Sequence, residues 1–126
     1  MVGGGAAIGP YSCGKIIRND QGAWGYSSGQ IGKSAKTGQL VGKTPAQQTK
    51  QAMTNLKALA KANGFKLDTH TIKTTVFITS MADFAECNAV YAKYFKEDCL
   101  PARSCVAVKE LPMGALFEVE AVFFKV

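Results

Sequence analysis

The stretch "PARSCVAVKELPMGALFEVEAVFFKV" (Pro101–Val126) closes the chain and decides the fold. It contains two runs, "RSCVAV" and "LFEVEAVFFKV", whose apolar and β-branched residues are typical of β-strands. Alternate side chains of a strand share a face, so the first run places Arg103 with Cys105. By the same rule, the second run places Glu118 with Glu120. The stretch therefore predicts an arginine and two carboxylates on adjacent strands.

Arg103 is the unusual residue of the first run, because its side chain stays charged at any ordinary pH. Composition alone favours a salt bridge between Arg103 and the glutamates of the last strand. The alternative is a polar pocket, in which the guanidinium holds an anion through two hydrogen bonds and a neighbouring carboxylate moves a proton. The residues leave both alternatives open.

A strand and a helix are predicted directly before this stretch. The segment "HTIKTTVFI" (His70–Ile78) is rich in β-branched residues, and its alternation predicts one shared face for Ile72, Val76 and Ile78. The helix is expected to begin after the N-cap Ser80 and to bury a stripe made of Phe84, Cys87, Tyr91, Tyr94 and Phe95. Asn88 borders that stripe, either as a polar residue on the helix edge or as a partner in a bond across a contact.

An earlier helix has clear signals at both ends. Thr44 is a good N-cap, Pro45 stands at the first helical position, and Gln47 completes a capping box. Gly64 is a natural stop. The apolar positions at helical spacing are Met53, Leu56, Leu59 and Ala60.

The first part of the chain predicts a β-hairpin followed by a polar loop. "GKII" (14–17) and "AWGYSSG" (23–29) flank the polar turn "RNDQG" (18–22), and the loop covers residues 33–43. Together, the elements predict one α+β domain over residues 1–126, with both helices on one face of a mixed sheet. The other sheet face needs cover, which favours an oligomer.

The composition bounds the class of protein. The apolar fraction of 47% over 126 residues supports a folded core, and no apolar run approaches the roughly 20 residues that span a bilayer. Without a secretory signal at the N-terminus, we expect a cytoplasmic protein, with an organelle still possible. The net charge of +6 comes mainly from scattered lysines, which favours a solvated surface over a nucleic-acid site.

Residue types for metal or nucleotide chemistry are sparse. The four cysteines form no CxxC pair and His70 is the single histidine, so we expect neither a metal site nor a cofactor. A catalytic pair of Cys105 or Cys87 with His70 is formally possible, but cysteines that pack as small hydrophobes explain the pattern better. Two "GK[ST]" triplets lack the earlier glycine of a phosphate-binding loop.

Several motifs together resemble the Rid/YjgF family, in particular its RidA-like members. They are "AIGPYS" (7–12), "SSGQI" (27–31), the helix run ending in "NAVYAKYF" (88–95), "PARSCVAV" (101–108) and "FEVEAV" (117–122). The resemblance implies a homotrimer of chorismate-mutase-like subunits, in which the sheets form a central barrel and three active sites lie between neighbours. It also implies hydrolytic deamination of 2-imino and enamino acids such as 2-aminoacrylate, which gives 2-keto acids and ammonia and protects pyridoxal-phosphate enzymes.

The resemblance also assigns residues. Arg103 matches the arginine that binds the substrate carboxylate, Glu118 the glutamate that helps to place or activate water, and Cys105 a residue whose backbone faces the ligand. The other matched substrate-binding positions are Tyr11, Ser28, Gly29 and Asn88.

Three positions depart from the family pattern, namely Cys13, Gly14 and Gly32, and they bear on substrate preference. Some relatives are described instead as endoribonucleases that inhibit translation, or as ligand-binding or chaperone-like proteins. Those remain the alternatives to a deaminase.

Overall fold

The structure is a computed structural model that describes Met1, Gly3 and residues 7–126. Within these residues, the chain forms one mixed sheet with helices packed on one face. The strands are β1 (Gly14–Asn19), β2 (Gly22–Ser27), β3 (Gln30–Ile31), β4 (Thr71–Ile78), β5 (Ala102–Ala107) and β6 (Phe117–Lys125). The α-helices are α1 (Pro45–Ala62), α2 (Leu67–His70) and α3 (Phe84–Tyr91), and 3₁₀ turns cover Met81–Asp83, Ala92–Tyr94, Glu97–Cys99 and Pro112–Gly114.

The strand order is β1-β2-β6-β4-β5, and β3 pairs with the remaining length of β6. All neighbours are antiparallel except β4 and β5, which are parallel because the chain crosses back through α3 between them. The predicted α+β class, with both long helices on one face of a mixed sheet, is confirmed. The single 1–126 domain remains consistent with this sheet.

Helix α1 forms as its sequence predicts. The Thr44 side chain accepts a hydrogen bond from the Gln47 backbone N–H, and the Gln47 side chain accepts from the Thr44 N–H, so the capping box is complete. At the other end, Gly64 follows the helix with φ +82°, a conformation that glycine adopts without strain. The inner face of α1 is fully buried against the sheet through Met53, Leu56, Leu59 and Ala60.

The two faces of the sheet differ in cover. The residues of β6 that face the helices, Phe117, Val119, Ala121 and Phe123, are all buried in the core. The opposite face carries no helix, and large apolar side chains of the sheet stay exposed: Ile17, Tyr26, Ile72 and Val106. Exposed apolar area on this scale is typical of a surface that a second chain covers.

The predicted hairpin is confirmed, but its turn is tighter than expected. The strands continue to Asn19 and resume at Gly22, so only Asp20 and Gln21 lie between them. The Asn19 side chain accepts a hydrogen bond from the Gln21 N–H and closes the turn. Two short elements, β3 and α2, were not predicted, because neither is long enough to show a period.

Two predictions of burial were wrong. Ile72 does not share the face of Val76 and Ile78, because an irregularity between Thr71 and Lys73 shifts the register of β4 against β6. Phe84 is not in the buried stripe but is 38% exposed, since it lies at the start of α3 against the edge of the sheet. Cys87, Tyr91 and Phe95 are buried as predicted.

Candidate functional site

Arg103 lies on β5, the edge strand of the sheet, and its side chain reaches across to α3. One terminal N–H donates to the Asn88 Oδ1 at 2.8 Å. Asn88 therefore makes a bond across a contact, which was the more specific of its two predicted roles. A guanidinium has five N–H donors, so this single bond fixes its direction and leaves others able to bind an anion.

Two aromatic rings of α3 flank the same guanidinium. The Arg103 carbon Cζ lies 4.8 Å from the centroid of the Tyr91 ring and 5.6 Å from that of Phe84. The Tyr91 hydroxyl is in turn 2.7 Å from the Thr74 hydroxyl, in the buried layer between α3 and β4. Such contacts between a cation and a ring hold the guanidinium plane in place. We call Arg103, Asn88, Tyr91 and Phe84 the arginine cluster.

The sequence signal for Tyr91 and Phe84 was present but was assigned to packing. Both rings lie within one helical turn of Asn88, at positions i−4 and i+3, so all three share a face of α3. This cluster could have been predicted, because one helix face carries an asparagine and two aromatic residues and a nearby strand carries an arginine.

The predicted adjacency of Arg103 and the two glutamates was wrong. Strand β4 lies between β5 and β6, so the two closing strands do not pair. Arg103 lies opposite Thr74 and faces the helices, whereas Glu118 lies opposite Phe77, three residues further along β4 and on the other face. In the part of the chain that the structure describes, no carboxylate lies within 4.0 Å of Arg103. The intrachain salt bridge is therefore not formed.

Glu118 belongs to a second group of predicted residues. A Cβ built on Gly29 would lie 2.7 Å from the Glu118 carboxyl carbon, so only glycine allows the carboxylate to lie against this turn. Ser28 is fixed beside it, because its N–H donates to the Cys13 carbonyl and its hydroxyl donates to the Ser12 carbonyl. These bonds hold the "SGQ" turn and the "PYS" segment together.

Tyr11 completes this group. It is exposed, and it lines the same small pocket of about 50 Å³ as Ser28, Gly29 and Glu118. We call Tyr11, Ser28, Gly29 and Glu118 the glutamate cluster. Burial raises the pKa of the Glu118 carboxyl, and the negative charge of Glu120 raises it further. A carboxylate with a raised pKa is a better proton acceptor than an ordinary surface glutamate.

The thiols do not form a catalytic pair with His70. Burial raises the pKa of the Cys105 thiol, and Arg103 partly opposes the shift; burial also raises the pKa of Cys87. The His70 Nδ1 accepts a hydrogen bond from the Lys66 N–H, just before β4 begins. Cys105 lies opposite Val76, five residues along β4 from its start and roughly 16 Å away at about 3.3 Å per residue.

The structure thus brings the predicted site residues together as two groups, one on each side of the sheet. Arg103 and Asn88 meet on the helix side, with Cys105 on the same strand face as Arg103. Tyr11, Ser28, Gly29 and Glu118 meet at the β3 end of the sheet. The two clusters do not join within one chain.

Comparisons with known proteins agree with this fold. The sequence profile of the family described as Endoribonuclease L-PSP matches residues 5–124. The human protein named 2-iminobutanoate/2-iminopropanoate deaminase is 40% identical over 116 residues, which cover 92% of this chain and 80% of the human one.

Two solved structures from Escherichia coli have the same fold. The YjgF gene product matches with a TM-score of 0.85 and 37% identity over 97% of this chain and 93% of its own. TdcF, solved with bound serine, matches with a TM-score of 0.84 and 35% identity over the same shares. The fold places the chain in a class of single-sheet α+β proteins. Within that class, this chain belongs to the Rid/YjgF family.

Proposed function

We propose that this protein is a hydrolytic deaminase of 2-imino acids. It works as a homotrimer whose active sites each combine the arginine cluster of one subunit with the glutamate cluster of the next. The observation that carries the proposal is Arg103, a charged side chain held by an amide and two rings and without a carboxylate partner among the described residues. The deaminase name of relatives at about 40% identity supports the same chemistry.

Arg103 is suited to bind the carboxylate of a small acid. Its guanidinium presents donors in a plane that matches a carboxylate, and the rings of Tyr91 and Phe84 keep that plane fixed before the ligand arrives. Preorganisation of this kind holds a planar 2-imino acid with its C=N carbon in a constant position. The neighbouring backbone at Cys105, on the edge strand, lies where it can contact the rest of the ligand.

Glu118 is suited to act on water. In its ionised form, it takes a proton as a water molecule adds to the carbon of the protonated imine, which gives a neutral carbinolamine. The C–N bond of the carbinolamine then breaks: Glu118 returns its proton to the nitrogen, which leaves as ammonia, while the hydroxyl group loses its proton to solvent and becomes the carbonyl of the 2-keto acid. One water is consumed for each imine, and the carboxyl group is regenerated. Tyr11 and Ser28 line the same pocket as Glu118 and are placed to position the ligand.

The geometry supports a site shared between subunits. Arg103 and Glu118 lie on opposite faces of the sheet, so one chain cannot bring both to the same small ligand. The bare apolar sheet face offers a surface for subunit contact. A homotrimer in which one subunit's sheet edge meets the next subunit's β3 end would satisfy both observations.

The test couples a pyridoxal-phosphate lyase that releases 2-aminoacrylate to the detection of pyruvate. We expect the wild-type protein to accelerate pyruvate release, and Arg103→Ala to lose at least about a hundredfold, because two charge-assisted hydrogen bonds are worth roughly 1.5–3 kcal/mol each. Arg18→Ala is the matched control, since Arg18 is exposed at the end of the hairpin. No acceleration by a correctly folded wild-type protein would reject the deaminase, and cleavage of RNA by that protein would support the alternative.

A further inference from the structure

The helical layer contains a groove of about 880 Å³ that belongs to neither cluster. It lies between α1 and the segment from the end of α3 through residue 96, with α2 at one end. None of the described residues that line it comes from the sheet. The basic residues among them are Lys50, Lys57, Lys61, Lys66, Lys93 and Lys96.

The lysines are arranged as two walls. Lys50, Lys57 and Lys61 follow each other at intervals of seven and four residues, which places them on one side of α1 over roughly 16 Å at about 1.5 Å per residue. Lys93 and Lys96 face them from the opposite segment. Many of the positive charges of the chain are thus concentrated here, although they look scattered along the sequence.

Negative charge is nearly absent from the groove. Asp68 is the only acidic residue among the described residues that line it. Its carboxylate lies 4.0 Å from the Lys96 Nζ, at the limit of an ion pair, and both side chains are well exposed. The remaining lysines of the groove have no carboxylate within 4.0 Å among the described residues, so a concentrated positive potential faces solvent.

The floor between the two lysine walls is apolar. Phe65, Leu67 and Phe95 are buried beneath it, and half-buried Val90 forms part of its surface. The Tyr94 side chain is held in place, because its hydroxyl donates to the Lys50 carbonyl and lies 3.0 Å from the Thr54 hydroxyl. The floor therefore favours contact with apolar side chains.

We propose that this groove binds an acidic amphipathic peptide segment of a partner protein. A helix with an apolar stripe and carboxylates on both flanks would lay the stripe on the floor and its charges against the two lysine walls. The groove length corresponds to about three helical turns. Single-stranded RNA fits less well, since stacking platforms need exposed ring faces, Phe65 and Phe95 are buried, and no arginine lines the described part of the groove.

The proposal can be tested with a fluorescent synthetic peptide of about 14 residues, which carries leucine at helical spacing and glutamate on both flanks. Fluorescence anisotropy against the wild-type protein should show saturable binding that weakens as ionic strength rises. The double variant Lys57→Glu/Lys61→Glu should weaken binding at least about tenfold, because attraction at two positions becomes repulsion. The matched control Lys36→Glu/Lys43→Glu, in the polar loop outside the groove, should bind within about twofold of the wild type.

Two further probes separate the possible occupants. A peptide with serine in place of each leucine should bind at least about tenfold more weakly, because the apolar floor then gains no contacts. Equal binding by both double variants would overturn the proposal. The proposal would also be overturned if the peptide did not bind, and if a uridine oligonucleotide bound to the wild type but not to the Lys57→Glu/Lys61→Glu variant. Since the groove shares no described residue with either cluster, the groove variants should keep the wild-type rate of pyruvate release.

Discussion

The arginine cluster and the glutamate cluster differ in how firmly their charged groups are held. Arg103 is fixed by one amide oxygen and two rings, and one of those rings is anchored to β4 through Thr74. The Glu118 carboxylate is confined by the close approach of Gly29, and burial raises its pKa. The difference supports the two proposed roles. The fixed guanidinium of Arg103 binds the carboxylate of the substrate, and the Glu118 carboxyl group, whose pKa is raised, transfers the proton.

The most direct test of these two roles places an intact arginine cluster and an intact glutamate cluster on different chains. Arg103→Ala and Glu118→Gln should each lower activity at least about a hundredfold. For Glu118, the reason is that general-base catalysis accelerates a reaction by a factor of about 10²–10⁴. When the two variants are unfolded together and refolded as mixed oligomers, activity should return to a sizeable fraction of the wild-type value. In a mixed oligomer, one interface joins an intact arginine to an intact glutamate.

The control for this experiment mixes the two variants after they have folded separately, without exchange of subunits, and should stay inactive. A mixture that remains inactive after complete subunit exchange would show that both residues act from the same chain. It would reject the shared site while leaving the deaminase reaction itself open.

Gly29→Ala tests the confinement of the carboxylate. The new methyl group would lie 2.7 Å from the Glu118 carboxyl carbon, so the side chain must move, and we expect kcat to fall about tenfold. Gly38→Ala is the control, because a Cβ at Gly38 meets nothing within 4 Å and the strain from its φ of +72° falls on an exposed loop away from Glu118. Steady-state kinetics of both variants check the prediction, and an unchanged kcat for Gly29→Ala would show that the position of Glu118 is not critical.

Substitutions of Tyr91 test whether its ring holds the Arg103 guanidinium in place. Tyr91→Leu removes the ring next to Arg103 and should raise KM about five- to tenfold, since the contact between the guanidinium and a ring is worth roughly 1 kcal/mol. Tyr91→Phe keeps the ring but leaves the buried Thr74 hydroxyl without its partner, so it should lower the free energy of unfolding by about 1–3 kcal/mol. Its KM should stay near the wild-type value. Equal KM values for the two variants would contradict a role for the ring in holding Arg103.

The smallest effect concerns pH. If Glu118 is the proton acceptor proposed above, its ionised form is the active one, so activity should rise with pH through its pKa, which burial and Glu120 keep above the ordinary value. Glu120→Gln removes one negative neighbour and should move this rise to lower pH. The pH profile of kcat/KM checks the direction. A shift to higher pH would mean that Glu118 is not the group that titrates.

The sequence predicted best what depends on neighbours along the chain. The capping box of Thr44 and Gln47, the stop at Gly64 and the buried face of α1 are local features, and each was confirmed. The resemblance of the motifs also identified the family, because it draws on the whole chain at once. A bond from Asn88 across a contact was among the predicted alternatives, since Asn88 bordered a buried stripe, but its partner Arg103 was not predicted.

The predictions that were wrong depend on pairings between segments that lie far apart in the sequence. Nothing in the last 26 residues shows that β4 is inserted between β5 and β6, so Arg103 and Glu118 were expected side by side. The bulge that exposes Ile72 is likewise set by the register against β6 and not by the alternation within β4. The lysine groove was hidden because residues far apart in sequence form its two walls.

The placement of Arg103 and Glu118 on opposite faces of the sheet also bears on how activity scales with protein concentration. If each site needs two chains, an isolated subunit has two half-sites and no catalyst. Specific activity should then fall on dilution below the dissociation constant of the oligomer, and it should recover when subunits are added back. Any substitution that loosens the subunit contact would therefore lower activity at low protein concentration, as an active-site defect does. At high protein concentration, this loss of activity would disappear.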